Sequence, residues 1–151
     1  CSYNEGMNQS QYEVLEEKIL TGYARIPYMP LRLEALRHTL RVVDMISLLD
    51  TDTDLWDRRS AALLHDTGRF LKNSPRHATA SARLAEELLP DKPEIAAAIR
   101  VHSEKDRVHG ALAEDLKDAD VLARWLDDPA SFAHPRLQAA LKRLKSAVCA
   151  G

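Results

Sequence analysis

"LRLEALRHTLRVVDMISLLD", residues 31–50, decides how this chain folds. Apolar residues recur there at steps of three and four, the spacing of an α-helix with a face turned to a core. Leu33, Leu36, Leu40, Val43 and Ile46 form one stripe, and Ala35, Val42, Met45 and Leu49 form a second. Two stripes predict a helix that is largely buried. His38 falls where an apolar sector meets the charged sector of Glu34, Arg37 and Arg41, which predicts the rim of a cleft.

The same periodicity extends outward on both sides. Upstream it predicts a helix near 9–21 carrying Tyr12, Leu15 and Ile19, with Gly22 as its stop and "ARIPYMP" (24–30) as a loop. Downstream, "TDTD" (51–54) offers N-caps for a helix near 54–66 that Gly68 closes. "KNSPR" (72–76) is a loop, and "HATASARLAEELLP" (77–90) is a helix of small residues able to approach its neighbours closely. Pro93 suits the first turn of the next helix, and residues 111–128 and 135–145 complete the series. No strand pattern, internal repeat or low-complexity segment interrupts it. The expectation is an all-α, single-domain bundle of about seven helices.

Composition narrows the functional classes. With 151 residues, 45% of them hydrophobic, the chain is large enough to bury a real core. Five Gly and seven Pro leave little room for a turn-rich β architecture. A formal net charge of -2 excludes a generally basic binder of nucleic-acid polymers and gives no attraction to membranes. No apolar run approaches the roughly 20 residues of a bilayer span. Cys1 and Cys149 stand at opposite ends, so no disulfide framework is expected and a cytoplasmic location is the default. "CSYNEG" precedes Met7, and residues 1–8 are expected to be disordered or vector-derived, ahead of a domain over 9–148.

Chemistry concentrates in "AALLHDTGRF" (61–70), where an apolar run ends in His65 and Asp66. Both groups are costly to bury unless the helix end reaches solvent or a cation waits for them. Elsewhere His102 continues the inward line of Ile95 and Ile99, and Asp120 continues that of Leu112 and Leu116. Asp118, about 200° from Asp120 on the helical wheel, is expected to be a solvated charge or a supporting one. His109 and His134 lie in polar loops and are expected at the surface. The inward groups are therefore His38, His65, Asp66, His102 and Asp120, with His77 opening its helix. Imidazoles and carboxylates without a thiolate are ligands for borderline and hard divalent ions, and a bundle can hold such an ion between facing helices. Side chains of adjacent helical residues point about 100° apart, so His65 and Asp66 share an ion only if it lies just off their helix end.

The ordered set His38, "HD" at 65–66, His77, His102 and Asp120 within "LKDADVLARW" resembles the HD superfamily of metal-dependent phosphohydrolases, over roughly residues 31–126. The resemblance implies an HD-type helical bundle in which His38, His65, Asp66 and Asp120 hold a divalent ion (Mn, Fe, Co, Ni, Zn or Mg). It implies that His77 and His102 serve a second metal or a phosphate, so that one or two ions bind. "VHSEK" and "KDADVLA" look especially like compact bacterial HD hydrolases. Many relatives carry Lys three residues after the motif Asp, where this chain has Arg69. That keeps the positive charge without the chemistry of an amine.

The implied function is hydrolysis of a small phosphorylated metabolite or nucleotide through a metal-activated water. Asp66 and Arg69 are the candidate catalytic residues, Asp66 orienting or deprotonating that water. Arg41, near His38, and Arg69, one turn past the dyad, are the candidates for gripping phosphate, within a wider set of Arg37, Lys72, Arg76, Arg100, Lys105 and Arg107. The alternatives are a di-iron oxygenase cleaving a phosphonate or inositol-like substrate, and a catalytically silent ligand-binding module. A monomer or homodimer, with no membrane partner, is expected.

Overall fold

A computed structural model describes residues 7–144 of the chain. Eight helices follow one another: α1 (Gln9–Ala24), α2 (Met29–Leu48), α3 (Leu55–Leu64), α4 (Thr67–Phe70), α5 (His77–Leu88), α6 (Pro93–Val101), α7 (Ala111–Asp127) and α8 (Leu137–Lys142). The described residues form no strand, only an isolated bridge between Leu49 and Leu144. The all-α expectation holds, and the helix in excess of seven is the four-residue α4.

Of the segment expected to precede the domain, residues 1–6 lie outside the described residues, as do Cys1 and Cys149. Met7 and Asn8 belong to the fold. Met7 is buried and its backbone N–H donates to Asp57 Oδ1 at 3.2 Å. Asn8 closes a capping box on α1: its Oδ1 accepts from Gln11 N at 2.9 Å, and Gln11 Oε1 accepts from Asn8 N at 3.0 Å. Gly22 does not stop α1, which runs on to Ala24; the stop comes with Pro27, which disfavours helical backbone at the preceding residue. Met29 and Pro30 then start α2, because a proline in the first turn forfeits no helical hydrogen bond. The expected loop shrinks accordingly.

α2 packs on α3 and α7, and α3 touches α1, α5, α6 and α7 as well. α3 and α7 therefore occupy the middle, and residues 57–64 of α3 and 115–123 of α7 are buried almost without a break. Tyr23, Ile46, Leu63, Leu64, Ile95, Ile99, Leu116 and Leu122 fill the core between them. α2 buries one continuous face, not the two expected: Ala35, His38, Thr39, Val42, Val43 and Ile46. Leu33 and Leu40, placed on an inward stripe by spacing, are 58% and 43% exposed. His38 is thus buried on the inward face of its helix, and it still lines a cavity with Leu33, Glu34 and Arg37, as its position between apolar and charged sectors predicted.

Gly68 does not cap α3. It lies inside α4 at a point where α5 crosses, and its N–H donates to Ser81 Oγ at 2.8 Å. A Cβ at this position would stand 2.4 Å from His77 O and 2.7 Å from Ala80 Cβ. Backbone cannot yield by an ångström, so Gly68→Ala should cost about 3 kcal/mol, at the upper end of overpacking effects. Denaturant unfolding measures it; an unchanged midpoint would mean that α4 and α5 are not so closely apposed. No helix among the described residues is long and apolar enough to cross a membrane.

Candidate metal centre

The α3 helix ends one residue before the dyad. His65 is its C-cap, and Asp66 leaves helical geometry (φ -116, ψ 14) before α4 begins. This break removes the roughly 100° divergence that a continuous helix would impose. Both side chains now turn to one point, with His65 Nε2 3.5 Å from Asp66 Oδ2. His38 from α2 and Asp120 from α7 meet them there. His38 Nε2 lies 3.3 Å from His65 Nε2, 3.6 Å from Asp66 Oδ2 and 2.9 Å from Asp120 Oδ1. His65 Nε2 is 3.8 Å from Asp120 Oδ1.

The local backbone decides which imidazole nitrogen faces this point. His65 Nδ1 is 2.6 Å from Ala62 O, three residues back at the helix end where carbonyls lack intrahelical partners. A carbonyl only accepts, so Nδ1 carries the proton and donates it, leaving the Nε2 lone pair turned inward in the neutral ring. His102 repeats the arrangement at the end of α6: it is the C-cap, and its Nδ1 donates to Ile99 O at 2.6 Å. Its Nε2 stands 3.9 Å from Asp66 Oδ1. Two overlapping groups could therefore hold an ion: His38, His65 and Asp120, and His65, Asp66 and His102.

Three observations fit a divalent cation. Asp66 Oδ2 and Asp120 Oδ1 are buried and receive no directed hydrogen bond, although imidazole nitrogens stand close by. Unsatisfied buried carboxylate oxygens are strongly unfavourable without a positive charge. His38 and His65 turn nitrogens towards each other at hydrogen-bond distance in a site already holding two acids. Finally, ligands at about 2.0–2.2 Å from a common ion stand roughly 2.8–3.6 Å from one another, and the separations of His38 from His65, Asp66 and Asp120 and of His65 from Asp66 fall in that range.

Electrostatics in the protein alone are finely opposed. Burial disfavours the charged form of His65, but Asp66 and Asp120 outweigh it and raise its pKa. Burial and the neighbouring His65 push His102 down to about 4. Burial works against ionisation of Asp120, yet His38, His65 and Lys105 hold it well below the usual carboxylate range. Asp66 is lowered as well, its burial overcome by His65.

A cleft of about 460 Å³ opens on Asp66, His102 and Asp120. Arg69 lines it, with Nη2 2.6 Å from Glu34 Oε1 at the rim. His77 lines it too, exposed on the wall and outside both groups that could hold an ion. Arg41 does not reach it: its guanidinium pairs with Asp127 on α7, away from the cleft lining. Two cations stand closer to the centre than expected. Lys105 Nζ donates to Asp120 Oδ2 at 2.7 Å, and Arg124 Nε lies 3.5 Å from Asp120 Oδ1. Arg124 follows Asp120 by four residues, a helical neighbour legible from spacing. Lys105 lies past the end of α6, where no periodicity applies.

Asp118 is not a solvated charge. It is buried on the opposite side of α7, where Oδ2 accepts from Arg143 at 2.7 Å and Oδ1 from Arg136 at 3.3 Å. Those bonds tie the α8 region to α7. His109, expected at the surface, is half-buried because Lys117 Nζ, fully buried, needs its Nδ1 at 2.6 Å. Asp118→Asn should destabilise the fold by about 3 kcal/mol, as losing one partner of a buried ion pair does, while metal content stays at the wild-type level. Thermal unfolding and metal analysis test this together; loss of metal with unchanged stability would reverse the roles of Asp118 and Asp120.

An all-α bundle that brings imidazoles and carboxylates from several helices into buried groups able to hold a metal ion defines the class of this protein. The family model described as HD domain matches residues 35–125, more than half of the chain, and the chain belongs to the HD-domain family. That family is of the metal-dependent phosphohydrolase type, and its domains bind divalent metals. Comparison with curated proteins and with solved structures finds no match.

Proposed function

We propose that this protein is a divalent-metal-dependent phosphohydrolase acting on a small phosphorylated substrate, with His38, His65, Asp66 and Asp120 as the ligands of its ion. The observation that supports this reading best is the pair of unpartnered carboxylate oxygens, facing two imidazole nitrogens beside a cleft rich in arginine and lysine. A divalent ion held there supplies Lewis acidity to a phosphoryl oxygen and lowers the pKa of water from about 15.7 towards 7.

The side chains do the rest. Asp66 commits Oδ2 to the cluster and turns Oδ1 towards His102, and it takes the proton from the attacking water. Arg69, on α4 directly behind Asp66, meets the negative charge of the phosphoryl oxygens. Lys105 holds Asp120 Oδ2 and so keeps Oδ1 aimed at the ligand point. Water adds to phosphorus, the ester P–O bond breaks, and the proton that Asp66 took from the water passes to the departing alkoxide, which leaves as the alcohol. The test is release of inorganic phosphate from a panel of phosphate monoesters, before and after treatment with a chelator. Activity should vanish with chelation and return with a divalent ion; no release under any metal would overturn the reading.

The second group, His65, Asp66 and His102, shares His65 with the first; the one free nitrogen of His65 serves a single ion, so in a two-ion variant the second ion rests on Asp66 Oδ1 and His102. That arrangement is also what a di-iron oxygenase would need, and dependence on dioxygen separates the two.

A further inference from the structure

We propose that the substrate is a compact, non-nucleoside phosphate ester carrying a second phosphoryl group, and that Arg76 and Arg100 bind that second group; this rests on the phosphohydrolase reading above. Five cationic side chains line the cleft, Arg69, Arg76, Arg100, Lys105 and Arg124, against three carboxylates, Asp66, Glu104 and Asp120. The chain as a whole carries a formal charge of -2, so this concentration is local. A cleft with an excess of positive charge attracts a ligand of the opposite sign.

The cations divide into two sets. Lys105 and Arg124 stand on Asp120, and Arg69 sits on α4 beside Asp66, so these three serve a phosphoryl group at the centre. Arg76 and Arg100 come from the α5–α6 pair, at the start of α5 and in the last turn of α6, and neither pairs with Asp66 or Asp120. The Arg76 side chain has no acidic partner among the described residues. Among the described residues Arg100 pairs with Glu86 alone, through Nη2 at 2.9 Å, which leaves the other donors of its fork uncommitted. Two arginines with donors left over, lining a cleft, are placed to bind an anion.

The rest of the lining argues against a nucleoside. No Phe, Tyr or Trp lines the cleft, so the stacking surface offered to a base is limited to His77 and the arginine planes, and Pro75 and Ala78 are its only apolar residues. Base recognition elsewhere relies on aromatic platforms. At about 460 Å³ the cleft is in the range of small-molecule sites, and charge is what it offers.

Non-hydrolysable probes test this apart from turnover. Isothermal titration calorimetry of the purified metal-loaded protein would compare propane-1,3-diphosphonate, propylphosphonate and the 5′-methylenephosphonate analogue of adenosine monophosphate. The diphosphonate should bind at least 10-fold more tightly than the monophosphonate, and the adenosine compound no more than threefold more tightly than propylphosphonate. In an Arg76→Gln, Arg100→Gln variant the diphosphonate should weaken until its advantage falls below threefold. Equal affinities for the two alkyl probes, an advantage that survives the double substitution, tight binding of the adenosine compound, or no binding of any probe would each overturn the proposal. If the phosphohydrolase reading alone fails, the diphosphonate preference persists while no phosphate ester is turned over with any metal.

Discussion

Alanine at His65 or Asp66 should empty the metal centre. In the proposed site each residue would supply a ligand atom, and each belongs to a group of three that could hold an ion. Removing even the supports of metal ligands typically costs about 10–100-fold in affinity, so losing a ligand should cost more than about 100-fold. Protein purified without chelator and analysed for metal should therefore carry a divalent ion in the wild type and less than a tenth as much in either variant. The fold should pay as well, since Asp120 Oδ1 would remain buried without its cation. To separate metal loss from collapse, Asp66→Asn keeps the volume and a neutral oxygen. It should fold, as judged by circular dichroism, and still lose the ion. Wild-type metal content in both His65→Ala and Asp66→Asn would remove the centre from the proposal.

Phosphate release should need a divalent ion but no dioxygen. Hydrolysis requires charge neutralisation and an activated water, which Mn²⁺ supplies without changing oxidation state, whereas oxygen chemistry requires iron that cycles. Protein reconstituted anaerobically with Mn²⁺ should release phosphate from a sugar phosphate. Under the same conditions His65→Ala should be slower by at least about 1000-fold, the combined loss of the ion and of the charge stabilisation it gives. Activity confined to iron and dioxygen would make the oxygenase the correct reading. A loaded metal centre with no turnover under either condition would leave a ligand-binding module.

Much of this protein is written locally. Helical periodicity places every long helix to within a few residues, because burying one face of a helix demands apolar side chains every three to four positions whatever the partner. The inward phase of Asp120 on α7 was legible for the same reason: its line runs through Leu116, and both are buried. So was the tension in "LLHD", since adjacent ionisable groups ending an apolar run need either solvent or a cation.

Other features belong to the tertiary structure. Gly22 and Gly68 look alike as punctuation, yet one rides within α1 and the other marks where α5 presses on α4, a distinction that depends on a neighbour 9–13 residues away. Leu33 and Leu40 are apolar at the right spacing and still exposed, because α7 and α3 between them cover only the His38 face of α2. Arg41 and Asp127 lie 86 residues apart, and Asp118 and Arg143 lie 25 apart; no periodicity announces either pairing. Lys105 reaches Asp120 from a loop, where side-chain direction follows no repeat. Periodicity tells which face of a helix turns inward. Which charge meets which inside is decided only when distant helices pack, since an ion pair or a ligand shell is set by distances of a few ångströms between segments that the chain itself keeps far apart.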